Sequence, residues 1–520
     1  MIPKNLRQTR AAKAQKSRSK VVSLPAPVGG WNARDSLAEM KPDDAVDLIN
    51  WFPRASLVEL RKGHALYNGF GATSLMAYTG GTSNYLLGAN AGFLYNYTLG
   101  TQYSVFATLS SSVLQYVNFA TSGGNYMVIV NGVDIPQAFD GTSFANMAIT
   151  GATSNNFSQV NAFKNRLWFV EKDTLKAWYL PTASIGGAAN VLDLSALATR
   201  GGSLVAMGTW TIDAGYGMDD LAVFITNQGE VLVYRGTDPS SASTWALVGI
   251  YLIGRPIGTR PFLKYQGDLL LITQDGLVPL SAALQSSRTN PRIALTDKIQ
   301  QAVSRAVAEY GSNYGWQVID FPAQSMLLLN VPVAYGTQEQ YVMNTITKQW
   351  ARFKGMDATC WEVLNDKLYF GQGDTSASGG TGGVYEAWTG FADNGTAIDS
   401  VALQSFNYFG SSGQQKRWMM MRPMLYANSN ANIAVAMNVE FSRDLTATAN
   451  TRISMDASIP IWNTATWDSA VWGDEYGLSR AWTGATGVGN CAAVKLGTAS
   501  SSLALQWIST DVVLEPGAIL

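Results

Sequence analysis

Histidine is almost missing from this 520-residue chain: His64 is its single example, and only two cysteines, Cys360 and Cys491, accompany it. One histidine removes multi-histidine metal sites, and it allows a Ser-His-Asp triad only if His64 itself is the base. Lying in Arg61-Lys-Gly-His-Ala65, a basic turn between strands, it is expected to have a structural or surface role. Two cysteines 131 positions apart make no disulfide framework and no zinc or haem spacing, which implies a reducing compartment during assembly. Charge is scarce too, at 14%. No window approaches the eighteen uninterrupted apolar residues of a membrane-crossing helix. The basic start runs from Val21-Val22-Ser23-Leu24 into Pro25 and Pro27 without an apolar stretch, so no secretory signal is expected. No cofactor is implied by any of these residues.

Glycine, by contrast, stands at 50 and tryptophan at 16. That composition suits many short strands joined by tight turns and packed by aromatics, in two to four domains or one large repeat ring with attachments. The net charge of −1 hides an asymmetry. Seven bases (Lys4, Arg7, Arg10, Lys13, Lys16, Arg18, Lys20) and no acid fall in the first twenty residues. Of 36 bases, 29 then remain against 37 acids, so the rest of the chain carries −8. A basic arm on an acidic body is expected either to grip an acidic neighbour or nucleic acid, or to be a solvated terminus.

The middle of the chain repeats one pattern: an apolar run, a polar or glycine turn, and a second run often holding an aromatic. It is seen at Tyr85 to Tyr95, Tyr126 to Asp134, Leu167 to Tyr179, Leu221 to Tyr234, Leu269 to Leu277, Met326 to Asn330 and Leu368 to Trp388. The spacing of roughly 40 to 60 residues is that of four-stranded blades with insertions. It predicts an all-β fold, a β-propeller of six or seven blades in preference to a sandwich. Asn131-Gly132 and Asp275-Gly276 predict type I′ hairpin turns. Thr296 to Tyr310 predicts a helix capped by Thr296 and ended by Gly311, with Ile299, Val303, Ala306, Val307 and Tyr310 on one face. A helical turn is expected at Pro42 to Ile49, and an exposed loop at Gly371 to Gly383. Strands beyond 395 (Val401 to Tyr408, Trp418 to Tyr426, Ile433 to Phe441, Ala492 to Leu496, Leu503 to Val513) predict a sandwich-like domain. The expected division is a basic arm at 1–24, a helical turn and entry strands at 25–65, the propeller at 66–395 and the C-terminal domain at 396–520.

No chemistry-bearing constellation emerges, and the chain is not expected to be an enzyme; no catalytic, metal or cofactor residue is assigned. The visible carboxylate pairs, Asp219-Asp220, Asp43-Asp44 and Asp474-Glu475, are sequence neighbours, and neighbours in a strand point to opposite faces. Gly371 to Gly383 and Gly484 to Gly489 lack the context of a phosphate cradle. Trp462, Trp467 and Trp472, with Trp482 beyond, could stack on carbohydrate or pin a loop to its own domain. Trp418-Met-Met-Met-Arg-Pro-Met424 is expected to be a packed strand or a subunit interface.

The N-terminal segment adds a resemblance. Gly29-Gly30-Trp-Asn32-Ala-Arg-Asp, then Met40-Lys-Pro42-Asp-Asp-Ala-Val-Asp-Leu-Ile-Asn50-Trp-Phe-Pro, then Leu60-Arg61-Lys-Gly63 resembles the opening of the nozzle, or distal tail tubular, proteins of short-tailed bacteriophages. The tryptophan tract and the ending Thr510-Asp-Val-Val-Leu-Glu-Pro-Gly-Ala-Ile-Leu520 are similar to endings in such proteins. The resemblance implies a virion protein of the tail, assembled in the host cytoplasm. It also implies a homohexamer joined to the adaptor proteins below the portal, closed before infection and opened at the host surface. Double-stranded DNA would pass it during ejection without sequence-specific binding, which suits an acidic body. The alternative is a phage-tail propeller that binds a host-surface receptor or glycan, with or without hydrolysis.

Overall fold

The computed structural model describes residues 19–81, 83–100, 105–213, 218–285, 293–334, 336–373, 382–428, 432–445, 452–454 and 477–519. Alternating apolar and polar residues in the central repeats produce antiparallel meanders, because one face of each strand must be buried. Seven such sheets follow one another among the described residues. Their first strands are Ser74–Tyr78, Gln115–Thr121, Phe157–Phe163, Leu204–Asp213, Phe262–Tyr265, Gln317–Phe321 and Cys360–Leu364. We number the sheets as blades 1 to 7 in that order. Blade 5 has three strands, and blades 1 to 4 and 6 have four.

Blade 7 closes the ring. Its own strands Cys360–Leu364, Lys367–Gly371 and Val384–Ala387 are completed by His64–Asn68, taken from the start of the chain. A buried cluster of Leu75, Ala77, Leu86, Tyr97, Cys360, Leu364 and Val384 then joins blade 7 to blade 1. Similar clusters join blades 1 and 2, 2 and 3, 3 and 4, and 4 and 5. No blade buries both faces alone, so the ring is stable as a whole. The fold is all-β and propeller-like.

The remaining strands build a second, sandwich-like unit against blades 6 and 7. One sheet contains Lys20–Pro25, Trp51–Pro53, Val58–Leu60, Gln414–Ala427 and Leu505–Ile519. The other runs Asn432–Val439, Ala492–Ser500, Thr396–Gln404, Asp44–Ile49, and continues through Ile49 and Arg352 into blade 6. Trp51, Trp418, Trp507, Leu425, Val494 and Leu496 fill one core with residues of blades 6 and 7. The sandwich expected from the C-terminal strands therefore also incorporates strands between Lys20 and Leu60.

Four local expectations are corrected. Asp44–Ile49 is a strand and not a helical turn: it is inserted beside Thr396–Gln404, with Asp44, Ala45, Val46, Asp47 and Leu48 all buried. Pro42 instead occupies the corner of a turn in which the Asp44 amide donates to the Lys41 carbonyl at 3.0 Å. Asn131-Gly132 opens a six-residue connection, in which the Asn131 side chain accepts from the amides of Val133 and Asp134. At Asp275-Gly276 the two-residue loop is Gln274-Asp275, and Gly276 begins the return strand. The tight turns with positive φ at both central residues fall at Lys164-Asn165 and Asn365-Asp366, as well as Ala91-Gly92 and Gln266-Gly267. The helix spans Gln300–Tyr310 after a 3₁₀ turn, and it buries Ile299, Val303, Ala306 and Val307 as expected. Thr296 does not cap it; its hydroxyl accepts from the Leu277 amide.

Candidate functional site

Six of the seven residues that carry the N-terminal motif, all but the exposed Pro42, converge on two buried polar centres between propeller and sandwich. The first is at the ring seam. Arg61, fully buried, donates Nε to Asn50 Oδ1 (2.8 Å), and Nη1 and Nη2 to the two carboxylate oxygens of Asp393 (2.8 and 2.5 Å). It also donates to the Lys62 and Lys354 carbonyls. Asn50 sits at φ 60°, a conformation asparagine tolerates. Its side chain bridges three segments, accepting from Arg61 and the Lys354 amide and donating to the Asp399 carbonyl. Gly63 has no room for a side chain, since a Cβ there would stand 1.9 Å from the Ala392 carbonyl oxygen. His64 is buried at the head of the closing strand, with Nδ1 3.1 Å from Asp393 Oδ1 and its ring edge-on to Phe370 and Tyr385. Burial pushes the Asp393 carboxyl up, but hydrogen bonds from His64 and Arg61 outweigh it and hold the group below the usual carboxylate range. The stability this adds is present above the unfolded carboxylate pKa and is lost as pH falls through the depressed one.

The second centre fixes the helix to the entry strands. Asn32 is buried and donates Nδ2 to Asp44 Oδ2 (2.8 Å) and Asp35 Oδ2 (2.9 Å). Lys298, from the 3₁₀ turn before the helix, reaches Asp44 Oδ1 (2.5 Å), the Gly29 carbonyl (2.5 Å) and Gln349 Oε1 (3.0 Å). Gly29 and Gly30 are glycines for lack of space: a Cβ on Gly29 would meet Asp44, and one on Gly30, at φ 76°, would meet the Trp350 carbonyl. Beside it Asp47 pairs with Arg352 at 3.0 Å.

The remaining predicted residues are elsewhere. Lys4, Arg7, Arg10, Lys13, Lys16 and Arg18 lie outside the described residues, as do Trp462, Trp467, Trp472 and Asp474-Glu475; Lys20 is exposed at the start of its strand. Trp482 is half exposed beneath the Arg422 guanidinium, 4.6 Å away. Cys360 and Cys491 are both buried and unpaired. Asp44 is absorbed in the joint, and Asp220 accepts from Thr211 and Lys164.

Sequence reasoning singled out none of the groups on the propeller axis. There the inner strands surround a cavity of about 570 Å³. Tyr116 of blade 2 donates to Glu362 of blade 7 at 2.9 Å. Arg260, on the approach to blade 5, donates to the Leu114 carbonyl (2.8 Å) and to Gln317 of blade 6 (3.3 Å), while Gln115 donates to the Thr259 carbonyl. Blades 2 and 5 are not neighbours in the ring, so these bonds bridge its interior at this level. Side-chain amides also staple neighbouring blades: Gln159 and Asn161 bond the Met207 backbone, and Gln317 bonds that of Trp361. Asp320 also lines the cavity, and burial pushes its carboxyl up, opposed by Lys348.

Burial pushes the Glu362 carboxyl up to about 7, against the opposing pull of Tyr116, the Val363 amide and Arg260. Because the folded pKa exceeds the unfolded one, the native state binds more protons between about pH 4.5 and 7, and stability falls as pH rises through that range. Glu362→Gln keeps an acceptor for Tyr116 and removes the charge. It is expected to stabilise the fold by roughly 1–3 kcal/mol at pH 8 and to leave it little changed at pH 4.5, measured by chemical denaturation across pH.

No family model matches the chain, and no curated protein matches it. Solved structures of similar arrangement include a crystal structure of BBS1N in complex with ARL6DN (9% identity, 64% of this chain and 98% of that one, TM-score 0.39). Others are the WD40 β-propeller domain of Doa1 (8%, 71% and 97%, TM-score 0.35) and YCF48 from Cyanidioschyzon merolae (12%, 64% and 98%, TM-score 0.32). At these identities nothing but fold is compared. The architecture of the chain is that of a closed, all-β propeller carrying a sandwich built from both ends of the sequence.

Proposed function

We propose that this chain is a virion structural protein, one subunit of a hexameric tail nozzle that conducts and gates DNA during ejection. The observation that carries the reading is the convergence of the motif residues. Of the seven residues that make the resemblance to phage nozzle proteins, Gly29, Gly30, Asn32, Asn50, Arg61 and Gly63 serve two buried centres at the joint between propeller and sandwich, while Pro42 is exposed at a turn. A motif spread over thirty-five residues is thus explained by a single mechanical task, holding two units rigidly together. Buried, multiply bonded charges suit that task because neither partner can leave without stranding the other.

The bridged interior of the propeller bears on where DNA would travel. Tyr116 to Glu362 and Arg260 to Leu114 cross the space between the inner strands, so on this reading the conduit runs between subunits. The wall facing it belongs to a body with an excess of acids, which leaves the phosphates free to slide. The adaptor proteins below the portal are the partners above the ring. The reading is tested by the symmetry of the assembled protein: six copies in one ring are expected, and a monomeric or differently numbered assembly in the particle contradicts it.

A further inference from the structure

An asparagine followed by glycine is prone to lose its side-chain nitrogen spontaneously, because glycine has no side chain to hinder attack by its own backbone nitrogen on the neighbouring carboxamide. This chain has three such pairs: Asn68-Gly69, Asn131-Gly132 and Asn394-Gly395. They are not equivalent.

Two are pinned. Asn68 is buried, with Nδ2 donating to the Gly100 carbonyl and Oδ1 accepting from the Phe70 amide at 2.9 Å. Asn131 accepts from the amides of Val133 (3.0 Å) and Asp134 (2.8 Å), and it donates to the Ser111 carbonyl (3.1 Å) and the Asp134 carboxylate (2.7 Å). Both carboxamides are held against the rotations that ring closure needs.

Asn394 is exposed, and its side chain has no hydrogen-bond partner among the described residues. With Gly395 it forms the two-residue loop between Ala392–Asp393 and Thr396–Gln404, at φ 48° and 87°, and the space around Gly395 is open. These are the angles of a type I′ turn, so the Asn394 Cα–C bond must rotate and the hairpin open before the glycine nitrogen reaches the carboxamide. Little opposes that opening: Ala392 pairs with Ala397 and Asp393 with Thr396, and there the short strand ends.

The same loop is fastened to the ring seam. Asp393 is the carboxylate that Arg61 and His64 share, and the Asn394 amide donates to the His64 carbonyl at 2.8 Å. Any change in the backbone at 394 is felt by His64–Asn68, the strand that completes blade 7.

We infer that Asn394 is a site of spontaneous deamidation whose conversion loosens the closing strand of the propeller. The Gly395 nitrogen attacks Asn394 Cγ and gives up its proton, the bond from Cγ to the side-chain nitrogen breaks, and ammonia leaves. Water then opens the five-membered imide: attack at Cγ yields aspartate, and attack at the main-chain carbonyl carbon yields isoaspartate, with the chain running through Cγ. One water is consumed, and nothing is oxidised or reduced. Aspartate adds a negative charge one residue from Asp393. Isoaspartate also lengthens the main chain by one carbon, which a two-residue loop between strands in fixed register does not absorb. This chemistry is independent of what the chain assembles into.

The test ages the full, folded chain at mildly alkaline pH and follows each asparagine by mass spectrometry of its proteolytic peptides, where conversion adds about 1 Da. Asn394 is expected to convert roughly tenfold or more faster than Asn68 and Asn131, whereas in denaturant the three convert at similar rates. Equal rates in the folded chain, or a slower Asn394, overturn the site. A preference for Asn394 that persists in denaturant belongs to the sequence alone and overturns the structural account. The aged chain is expected to show faster hydrogen exchange at His64–Asn68 and a lower melting temperature. An Asn394→Gly chain, whose glycine accepts the positive φ, is expected to keep both unchanged through the same treatment. Conversion at Asn394 that leaves exchange at His64–Asn68 unaltered overturns the link to the seam.

Discussion

Arg61→Ala is expected to lower the folding free energy by roughly 3–5 kcal/mol, the cost of removing one partner of a buried charge pair. The loss is not one bond. Asn50 Oδ1, both Asp393 oxygens and the carbonyls of Lys62 and Lys354 lose a donor whose own side chain is fully buried. Asp393→Ala should cost a similar amount by stranding the guanidinium. The double variant should cost much less than the two singles together, because they share one interaction. Hydrogen exchange at His64–Asn68 should accelerate in both single variants, since this strand closes blade 7 and the seam centre fastens it. Costs below about 1 kcal/mol, or additive ones, would show that the seam is held by backbone pairing and apolar packing alone.

Lys298→Met is the second large effect, again expected at roughly 3–5 kcal/mol by chemical denaturation. Asp44 is 1% exposed, and without Lys298 its carboxylate keeps only the Asn32 amide. The Gly29 carbonyl and Gln349 lose their donor as well. Lys298→Met combined with Asp44→Asn should recover part of the loss by removing the stranded charge. The effect should also be local: amides of the helix Gln300–Tyr310 exchange faster while blades 2 to 4 are unaffected. Loss of protection around the whole ring would instead mean that this joint is needed for the propeller to form.

The repeats were legible because each blade buries a short apolar run, and such runs stand out in a chain with so little charge. The helix face was legible for the same reason. The turns were harder. Lys164-Asn165 and Gln266-Gly267 adopt positive φ under strand pairing, although lysine and glutamine do not advertise it, whereas Asn131-Gly132 satisfies its backbone by side-chain bonds in a longer loop. Pro42-Asp43-Asp44 imitates a helix start, but the strand that follows is decided by Thr396–Gln404 and by Lys298 and Arg352, some 250 to 360 residues away. Distance in sequence also hid the seam: Asp393 carries no local signal, and its partners Arg61 and His64 are over 300 positions earlier. Glu362 left one trace, a lone acid within the apolar strand Cys-Trp-Glu-Val-Leu, whose meaning appears only when Tyr116 is brought opposite it.

The central claim, that this chain is one wall segment of a DNA conduit, is tested most directly by imaging the assembled tail at a resolution that traces strands. Six copies around a common bore, each with its own propeller interior bridged by Tyr116 to Glu362 and with the bore between subunits, is the expected result. A single copy at the tip of a fibre, or a ring with DNA threaded along a propeller axis, would contradict it.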